Sequence, residues 1–333
     1  MIEKVLVEQA LATFAKAKRL RCMCHRNPDG DAIGSITAMA QLLEAHYPDT
    51  PVELYCVDPS PPTFGFLPFV HRIKHDLKPE EGDVFIFLDS AEPKLTEYHE
   101  TLPQIFQPSP DSTGLRPAGG GEWPSVCIDH HPTNTRYATV NIVIPEASST
   151  CEILVDFSEG AGWPLTPDIA TSLLTGVYTD TGGLVHSNTT ARVYRTVARL
   201  LKAGARQQLI VQQVFRSAKI STLRLWGRVL EKISITPEGG AISALTEGDF
   251  LATGADYSEL TGAIDYVNAV PGMKFSLVLA ERAGKVKGSL RTLRDDVDVS
   301  KMAGAFQGGG HKKAAGFAVS GKLVPEVRWK VQQ

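Results

Sequence analysis

The sequence predicts an α/β protein, with an N-terminal parallel sheet covered by helices on both faces and a smaller C-terminal α+β domain. Residues 83–89 and 125–129 are apolar strand patterns that end in a carboxylate, and helical patterns separate the strands of this part of the chain. Such apolar strands are typical of a parallel sheet that is buried on both faces. From Ile233 onward the chain changes to short strands and turns, which indicates the second domain.

The order of the elements follows from hydrophobic periodicity, since apolar residues at helical spacing predict helices and short apolar runs predict strands. In the N-terminal part we expect helices over residues 3–17, 32–46, 149–157, 167–178 and 188–201. Strands are expected there over residues 19–24, 52–57, 83–88, 125–129 and 137–144. In the C-terminal part we expect strands over residues 233–236, 241–245, 275–280 and 286–290.

These patterns divide the chain into an N-terminal domain over residues 1–204, a helical connection over residues 205–230 and a second domain over residues 231–333. The connection keeps helical character but shows no core pattern of its own. Residues 107–123 are rich in Pro, Gly and Ser, so we expect a surface insertion between two strands.

The composition fits a protein of two globular domains. The 333 residues are 43% hydrophobic and 21% charged, and the net charge of −3 does not indicate a general nucleic-acid binder. The longest apolar run in a predicted strand, residues 84–88, is far shorter than the roughly 20 residues that a membrane span needs. Charged residues near the N-terminus argue against a signal peptide, and five cysteines in mostly apolar contexts indicate buried thiols, so we expect a cytoplasmic protein.

One loop after the first predicted strand carries three candidate metal ligands. His25, Asp29 and Asp31 have the spacing His-x-x-x-Asp-x-Asp, and Pro28 and Gly30 are expected to make the loop tight. An imidazole and two carboxylates on one loop, at the end of a strand, are typical of half of a metal site.

Further acidic and histidine residues follow other apolar elements. They are Asp89, the triplet Asp129-His130-His131, and Asp180. Because ligands gather at the carboxyl ends of the strands in an open parallel sheet, these residues can converge with the first loop. So many carboxylates repel one another unless cations are present, and oxygen and imidazole ligands without thiolate favour Mn²⁺ or a similar ion. The number of ligands favours two ions, which together suit an in-line displacement at phosphorus.

Each of these residues also has an ordinary structural explanation. Asp89 could cap a helix or stabilise a turn, and Asp180 could cap the turn that precedes Gly182. His130 and His131 could be one packed and one solvated histidine. The hypothesis of a metal site depends on the combination of residues rather than on any one of them.

The four motifs resemble, in order, those of the DHH phosphoesterase superfamily, which includes the RecJ exonucleases and the family II inorganic pyrophosphatases. The C-terminal run Gly308-Gly309-Gly310-His311-Lys312-Lys313-Ala314-Ala315-Gly316 resembles the signature of the DHH-associated domain. The combination most resembles the subfamily of bifunctional oligoribonucleases and 3′-phosphoadenosine-5′-phosphate phosphatases (pAp phosphatases). The resemblance covers essentially the whole chain.

The resemblance implies a role for each motif residue. His25 and Asp29 would hold one Mn²⁺, and Asp89 would bridge it to a second ion, with Mg²⁺ as an alternative metal. The second ion would be held by Asp31, His130 and Asp180. His131 would face the scissile phosphate as a catalytic residue, and Asp129 would orient the histidines.

The resemblance also implies a substrate-binding role for the second domain. Arg291 matches a strand-borne arginine that grips a substrate phosphate, and a guanidinium suits bidentate phosphate binding. The remaining implied substrate-binding residues are Gly308, Gly309, Gly310 and His311. Closely spaced backbone N–H groups of such glycines can form an anion-binding concavity, although a plain flexible turn would have the same composition.

Three features depart from the family pattern. Gln307 replaces a glycine that is usual there, Thr292 replaces a more common serine, and residues 107–123 separate the second and third motifs more widely than usual. None of the three is a predicted metal ligand. The insertion puts substrate specificity in doubt.

The resemblance therefore implies a hydrolase that cuts short oligonucleotides or dinucleotides to 5′-nucleotides, and that also converts pAp to AMP. The sequence shows no extended basic or aromatic track for long single strands, which disfavours a RecJ-like exonuclease. The same residues would also suit a cyclic-dinucleotide phosphodiesterase. A pyrophosphate or polyphosphate hydrolase is disfavoured, because Arg291 and the run at residues 308–311 resemble the nucleotide-binding branch. A nucleotide sensor without catalytic activity would be expected to lack some of the ligands, and all the matching positions are present. We expect no membrane partner, and a homodimer is left open.

Overall fold

The computed structural model describes residues 2–106, 123–216 and 218–324, and the chain divides into two units, Met1–Ser217 and Ala218–Gln333. The predicted insertion lies outside the described residues except for Trp123. The predicted connection over residues 205–230 is shared by the two units. Ile210 joins the core of the first unit, whereas Leu225 and Val229 join the core of the second, a pattern that the sequence interpretation missed.

The first unit contains a parallel sheet of six strands in the order β3-β2-β1-β4-β5-β6, which confirms the predicted fold class. The strands are β1 (Arg19–Met23), β2 (Val52–Tyr55), β3 (Ile73–Lys74), β4 (Asp83–Leu88), β5 (Ser125–Asp129) and β6 (Val140–Val143). The strand order reverses direction between β1 and β4, and in open α/β sheets this switch point is where ligands bind.

The helices of the first unit pack on one face of this sheet. They are α1 (Lys4–Phe14), α2 (Gly30–His46), α3 (Thr150–Ala161), α4 (Pro167–Asp180), α5 (Ala191–Lys202) and α6 (Gln207–Ile210). The side chains of Leu20 and Ile86 point into this helical layer and are fully buried.

Loops and single 3₁₀ turns, rather than a second layer of α-helices, cover the other face. Its buried cluster includes Phe85, Phe87 and Tyr137, and no α-helix of the described residues contributes to it. The chain after β4 forms short 3₁₀ turns that begin at Pro93 and Pro103, and this explains the difference from the expected helical covering.

Two glycines allow the close packing that places the site residues. A Cβ atom at Gly30 in α2 would lie 2.3 Å from Thr179 Cγ2 in α4. A Cβ atom at Gly176 in α4 would lie 2.5 Å from Asp31 Oδ1. Any larger residue at either position would therefore push α4 away from the start of α2.

The second unit contains a mixed sheet in the order β11-β12-β10-β9-β8-β7, in which, among the described strands, only β8 and β9 pair in parallel. The strands are β7 (Ser234–Ile235), β8 (Gly240–Leu245), β9 (Phe275–Arg282), β10 (Lys285–Arg291), β11 (Gly309–His311) and β12 (Ala314–Ser320). The helices are α7 (Ile220–Glu231), α8 (Glu247–Thr253), α9 (Ala263–Asn268) and α10 (Val299–Gly304). This unit is the predicted α+β domain. None of the helices in the described part of the chain is long and apolar enough to cross a membrane.

Candidate metal centre

The predicted ligands of the first unit gather at the carboxyl ends of its central strands. His25 follows β1, Asp89 follows β4 and His130 follows β5, while Asp31 lies in the first turn of α2 and Asp180 is the last residue of α4. The start of α2 is fixed by Asp29, whose Oδ1 accepts hydrogen bonds from the N–H groups of Asp31 (2.9 Å) and Ala32 (3.1 Å). This cap starts the helix at Gly30, two residues before the predicted start.

One group of candidate ligands contains His25, Asp29 and Asp89. The Nε2 atom of His25 lies 3.3 Å from Asp89 Oδ2 and 3.9 Å from Asp29 Oδ1. One ligand atom from each residue lies within 4.8 Å of the others, so the three could hold one ion.

A second group contains Asp31, His130 and Asp180, again with one ligand atom from each within 4.8 Å of the others. His130 Nε2 lies 3.4 Å from Asp180 Oδ2 and 3.5 Å from Asp89 Oδ1. Asp89 therefore presents Oδ2 to the first group and Oδ1 to the second. Asp29 and Asp31, two residues apart, fall into different groups.

His131 and Asp129 form a hydrogen-bonded pair beside the second group. His131 Nδ1 lies 2.8 Å from Asp129 Oδ1 and 3.7 Å from Asp89 Oδ1. Asp129 is fully buried, and its Oδ2 accepts a hydrogen bond from Asn134 Nδ2 at 2.6 Å. Asp129 thus orients His131 rather than joining a ligand group, although the distances would also allow a group of Asp89, His130 and His131.

The titration of the cluster reflects its crowded charges. Burial raises the pKa of Asp180 well above its usual range, and the carboxylates of Asp31, Asp29 and Asp89 raise it further. Burial together with the charge of Asp89 raises the pKa of Asp31 to about 7. Burial also disfavours the ionised form of Asp89, but hydrogen bonds from His130 and His25 outweigh it and hold this pKa well below its usual range.

The two histidines carry the compensating charge. Burial lowers the pKa of His25, but the carboxylates of Asp89 and Asp29 outweigh this effect and raise it to about 10. Asp89 and Asp31 likewise overcome the burial of His130 and raise its pKa to about 9. Without a cation, the cluster therefore binds protons where an ion would sit.

Two backbone features also suit a cation at this place. Asp89 has a positive φ of 56°, a conformation that costs a residue other than glycine about 1–3 kcal/mol and that persists mainly at functional sites. Asp180 lies at the C-terminal end of α4, where the helix dipole disfavours a carboxylate. The donor set of four carboxylates and two imidazoles fits one or two divalent ions of the Mn²⁺ type.

Several contacts of the site were not identified from the sequence. Thr150, at the start of α3, donates to both Asp31 and Asp89. The main-chain oxygen of Asp180 lies 3.1 Å from His186 Nδ1 and accepts a hydrogen bond from Asn188 Nδ2 at 3.2 Å. The helix cap at Ser149 could be predicted from the sequence. The contacts of the next residue, Thr150, with Asp89 and Asp31, about 60 and 120 positions away, could not.

The predicted substrate residues of the second unit lie at one end of its sheet. Arg291 ends β10 opposite Ala314 of β12, and His311 ends β11 opposite the same Ala314. The two residues therefore flank one position of β12, about 10 Å apart at the usual strand spacing. The glycine run forms the edge strand β11 instead of a turn, and the N–H of Gly308 already donates to Ala303. The expected anion-binding concavity therefore lacks that donor.

Comparison with known proteins identifies the family to which the chain belongs. Residues 19–177 match the N-terminal domain of the DHH family, and residues 242–333 match the DHHA1 domain. The chain belongs to the DHH family and is a phosphoester hydrolase. It is 32% identical over 299 residues to the bifunctional oligoribonuclease and PAP phosphatase NrnA of Thermus thermophilus, covering 89% of this chain and 83% of that protein. The resemblance drawn from the motifs is confirmed.

Two further relatives agree with this assignment. The protein of the same name from Bacillus subtilis is 24% identical over 302 residues, which cover 89% of this chain and 87% of that protein. The crystal structure of an exopolyphosphatase-related protein from Bacteroides fragilis has a TM-score of 0.84 and 24% identity, and the match covers 98% of this chain and 93% of that chain. This last likeness supports the fold alone.

Proposed function

We propose that this chain is a metal-dependent phosphodiesterase that hydrolyses dinucleotides and other short oligonucleotides to 5′-nucleotides. The observation that carries the proposal is the pair of adjacent ligand groups at the switch point of the sheet, with Asp89 in one group and 3.5 Å from His130 of the other. The named activity of the Thermus thermophilus and Bacillus subtilis relatives supports this substrate class. The same names support a second activity, the conversion of pAp to AMP.

In this proposal His25, Asp29 and Asp89 hold one ion, and Asp31, His130 and Asp180 hold a second, with Asp89 between them. Mn²⁺ suits the donor set, and Mg²⁺ is the alternative metal. When bound, the ions polarise the phosphate and activate water for attack.

His131 and Asp129 supply the proton chemistry. Asp129 holds Nδ1 of His131 at 2.8 Å, and we assign the imidazole so positioned to the scissile phosphate. In that orientation His131 would stabilise charge on the phosphate or protonate the leaving oxygen. Asn134 fixes the other oxygen of Asp129, so the imidazole cannot turn without breaking this chain of contacts.

The second unit would contribute residues that bind nucleotide. Arg291 would bind a phosphate, and the edge strand with His311 would contact the adjoining nucleotide. Gly309 leaves the backbone of that strand open to close approach, since a Cβ built there meets no described atom within 4 Å, whereas Gly310 packs against Ala314 and Ala315. We also propose that the protein acts in a reducing compartment such as the cytoplasm, because its five cysteines are all buried free thiols.

The test is an assay of Asp89→Asn with a fluorescent RNA dinucleotide and Mn²⁺. Asparagine keeps the shape of Asp89 but removes its charge, which faces both groups. We expect a loss of activity of about 100-fold or more, because substitution of residues that only orient metal ligands already costs about 10–100-fold. Asp168→Asn is the matched control, because Asp168 lies at the other end of α4 and pairs with Arg206 on the surface. Activity of Asp89→Asn close to that of the control would refute the proposal.

A substrate panel separates the proposed reaction from competing reactions of the same chemistry. The panel contains an RNA dinucleotide, a longer single strand, a cyclic dinucleotide, pAp and pyrophosphate, each with Mn²⁺ and with Mg²⁺. We expect the dinucleotide to be the best substrate and pAp to be hydrolysed as well. Preference for the long strand or the cyclic dinucleotide would overturn the assigned substrate class while leaving the metal centre in place.

A further inference from the structure

Thr150 contacts two carboxylates of the metal centre at once. It is the first residue of α3 and is fully buried. Its backbone N–H donates to Asp31 Oδ2 at 2.6 Å, and its hydroxyl donates to Asp89 Oδ1 at 3.2 Å. Thr150 lies outside the four sequence motifs that carry the candidate ligands.

The two carboxylates belong to different ligand groups. Asp31 lies with His130 and Asp180, whereas Asp89 is the residue that joins that group to His25 and Asp29. A single residue that holds both carboxylates therefore fixes the position of one group relative to the other. The adjacent N–H of Cys151 donates to Asp31 Oδ1 at 2.9 Å. Both oxygens of Asp31 therefore accept hydrogen bonds from backbone N–H groups at the start of α3.

Hydrogen bonds within its first turn hold the start of α3, which makes these contacts. Ser149 caps the helix, and its Oγ accepts a hydrogen bond from the N–H of Glu152 at 3.1 Å. Glu152 in turn accepts a hydrogen bond from the N–H of Ser148 at 2.7 Å, which closes the first turn from the other side. The positive end of the helix dipole also favours the negative charge of Asp31.

The hydroxyl of Thr150 also determines which oxygen of Asp89 faces which group. It binds Oδ1, the oxygen that lies 3.5 Å from His130, and leaves Oδ2 toward His25. Asp89 has a left-handed backbone, and its own N–H is held by Ile128 at 3.1 Å. The Thr150 hydroxyl thus adds to the contacts with His130 and His25 that hold the carboxylate in this orientation.

We propose that Thr150 is a positioning residue that sets the geometry between the two metal-binding groups through Asp89. The inference rests on the proposed function, because it concerns the same pair of groups. It assigns no contact with substrate to Thr150. Without the hydroxyl, the contacts of Asp89 with His25 and His130 remain, but the carboxylate is held less firmly between the two groups, so both groups should bind an ion less tightly.

The test compares Thr150→Val and Thr150→Ser by Mn²⁺ titration of the full chain in the absence of nucleotide, using calorimetry and the electron paramagnetic resonance signal of unbound Mn²⁺. Valine keeps the volume and the backbone N–H but removes the hydroxyl, so we expect Mn²⁺ affinity to fall by about 10–100-fold, as for other residues that orient metal ligands. Serine keeps the hydroxyl and should bind Mn²⁺ nearly as well as the wild type.

Thr37→Val is the matched control. Thr37 is also a fully buried helical threonine, but its hydroxyl donates to backbone oxygens of its own helix. Equal Mn²⁺ affinity of Thr150→Val and Thr37→Val would overturn the inference, and so would equal loss in Thr150→Val and Thr150→Ser. If the wild type binds no Mn²⁺, the proposed metal-dependent function itself fails, so the two failures are distinguishable.

Discussion

Replacing Asp180 with asparagine should stabilise the metal-free protein, although it removes a candidate metal ligand. Asp180 is the last residue of α4, where the negative end of the helix dipole disfavours its charge. Burial and the nearby carboxylates of Asp31, Asp29 and Asp89 also raise its pKa well above the usual range. Asparagine removes the charge and keeps an acceptor for His130, whose Nε2 lies 3.4 Å from Asp180.

The magnitude follows from these contacts. The helix end alone disfavours a carboxylate by about 0.3–1 kcal/mol, and the repulsion between carboxylates adds to it, so Asp180→Asn should raise the free energy of unfolding by about 1 kcal/mol. Because the raised pKa makes the folded protein bind this proton more strongly than the unfolded chain, the cost of Asp180 grows with rising pH. The gain from asparagine should therefore grow as the pH rises toward the raised pKa of Asp180, and should disappear as the pH falls to the ordinary pKa of Asp, about 4.

The assay is urea unfolding in EDTA at pH 7 and at pH 4.5, followed by a repeat in Mn²⁺. Asp168→Asn is the control, since Asp168 lies in the first turn of the same helix, where the dipole favours a carboxylate. That variant should lose about 0.3–1 kcal/mol of stability instead of gaining it. At Mn²⁺ concentrations near 100 times Kd, the wild type should gain about 2.7 kcal/mol for each of the two proposed ions, and Asp180→Asn should gain less.

Loss of stability by Asp180→Asn in EDTA would refute this reasoning. It would mean that Asp180 is stabilised by its neighbours and that the cluster does not require a cation. Equal stabilisation of both proteins by Mn²⁺ would show that Asp180 is not a ligand.

Two further predictions concern the pH dependence of Mn²⁺ affinity and the backbone conformation at Gln307. Mn²⁺ affinity should fall below pH 8 by up to about tenfold per pH unit for each proton released, because His25 and His130, with pKa values of about 10 and 9, must lose protons to bind an ion. Calorimetry in buffers of different ionisation enthalpy measures the release, and constant affinity from pH 6 to pH 8 would contradict it. Gln307→Gly should raise the free energy of unfolding by about 0.5–1 kcal/mol, because Gln307 has a left-handed φ of 58°. Urea unfolding tests this, and an equal gain in Gln307→Ala, which keeps the Cβ, would contradict the reason.

The convergence of the motif residues could be predicted because it follows from the fold. Parallel strands end at one edge of their sheet, so His25, Asp89 and His130, which each follow a strand, must lie there. The separation of Asp29 from Asp31 does not come from a turn at Gly30, which was expected to tighten the loop but is the first residue of α2. The left-handed residue of the loop is Asn27, with φ 49°, and Asp29 caps the helix that Asp31 has already entered.

Contacts between distant segments could not be predicted from one sequence. Nothing local to Thr150 indicates that it will meet Asp31 and Asp89, because the contact depends on how the start of α3 packs against α2 and the end of β4. The glycine run after α10 likewise has the composition of a turn, yet pairing with β12 makes it an edge strand. Only the register of β12 shows that Arg291 and His311 lie on either side of Ala314.

The backbone conformation of Gln307 gives a physical reason for one departure from the family pattern. The family resemblance leads us to expect glycine at this position, and the positive φ of Gln307 gives a reason why glycine would suit it. Thr292, a second departure, uses its hydroxyl to bind the main-chain oxygen of Lys274 at 2.6 Å. Serine could make the same bond, so this substitution leaves the local structure unchanged.

The most direct test of the two-group metal centre is a crystal structure of the Mn²⁺-loaded protein with anomalous scattering measured at the manganese edge. We predict two peaks about 3.5–4 Å apart, with Asp89 between them. One should be bound by His25 and Asp29, and the other by Asp31, His130 and Asp180. A single ion bound by both Asp29 and Asp31 would contradict the division of the site into two groups.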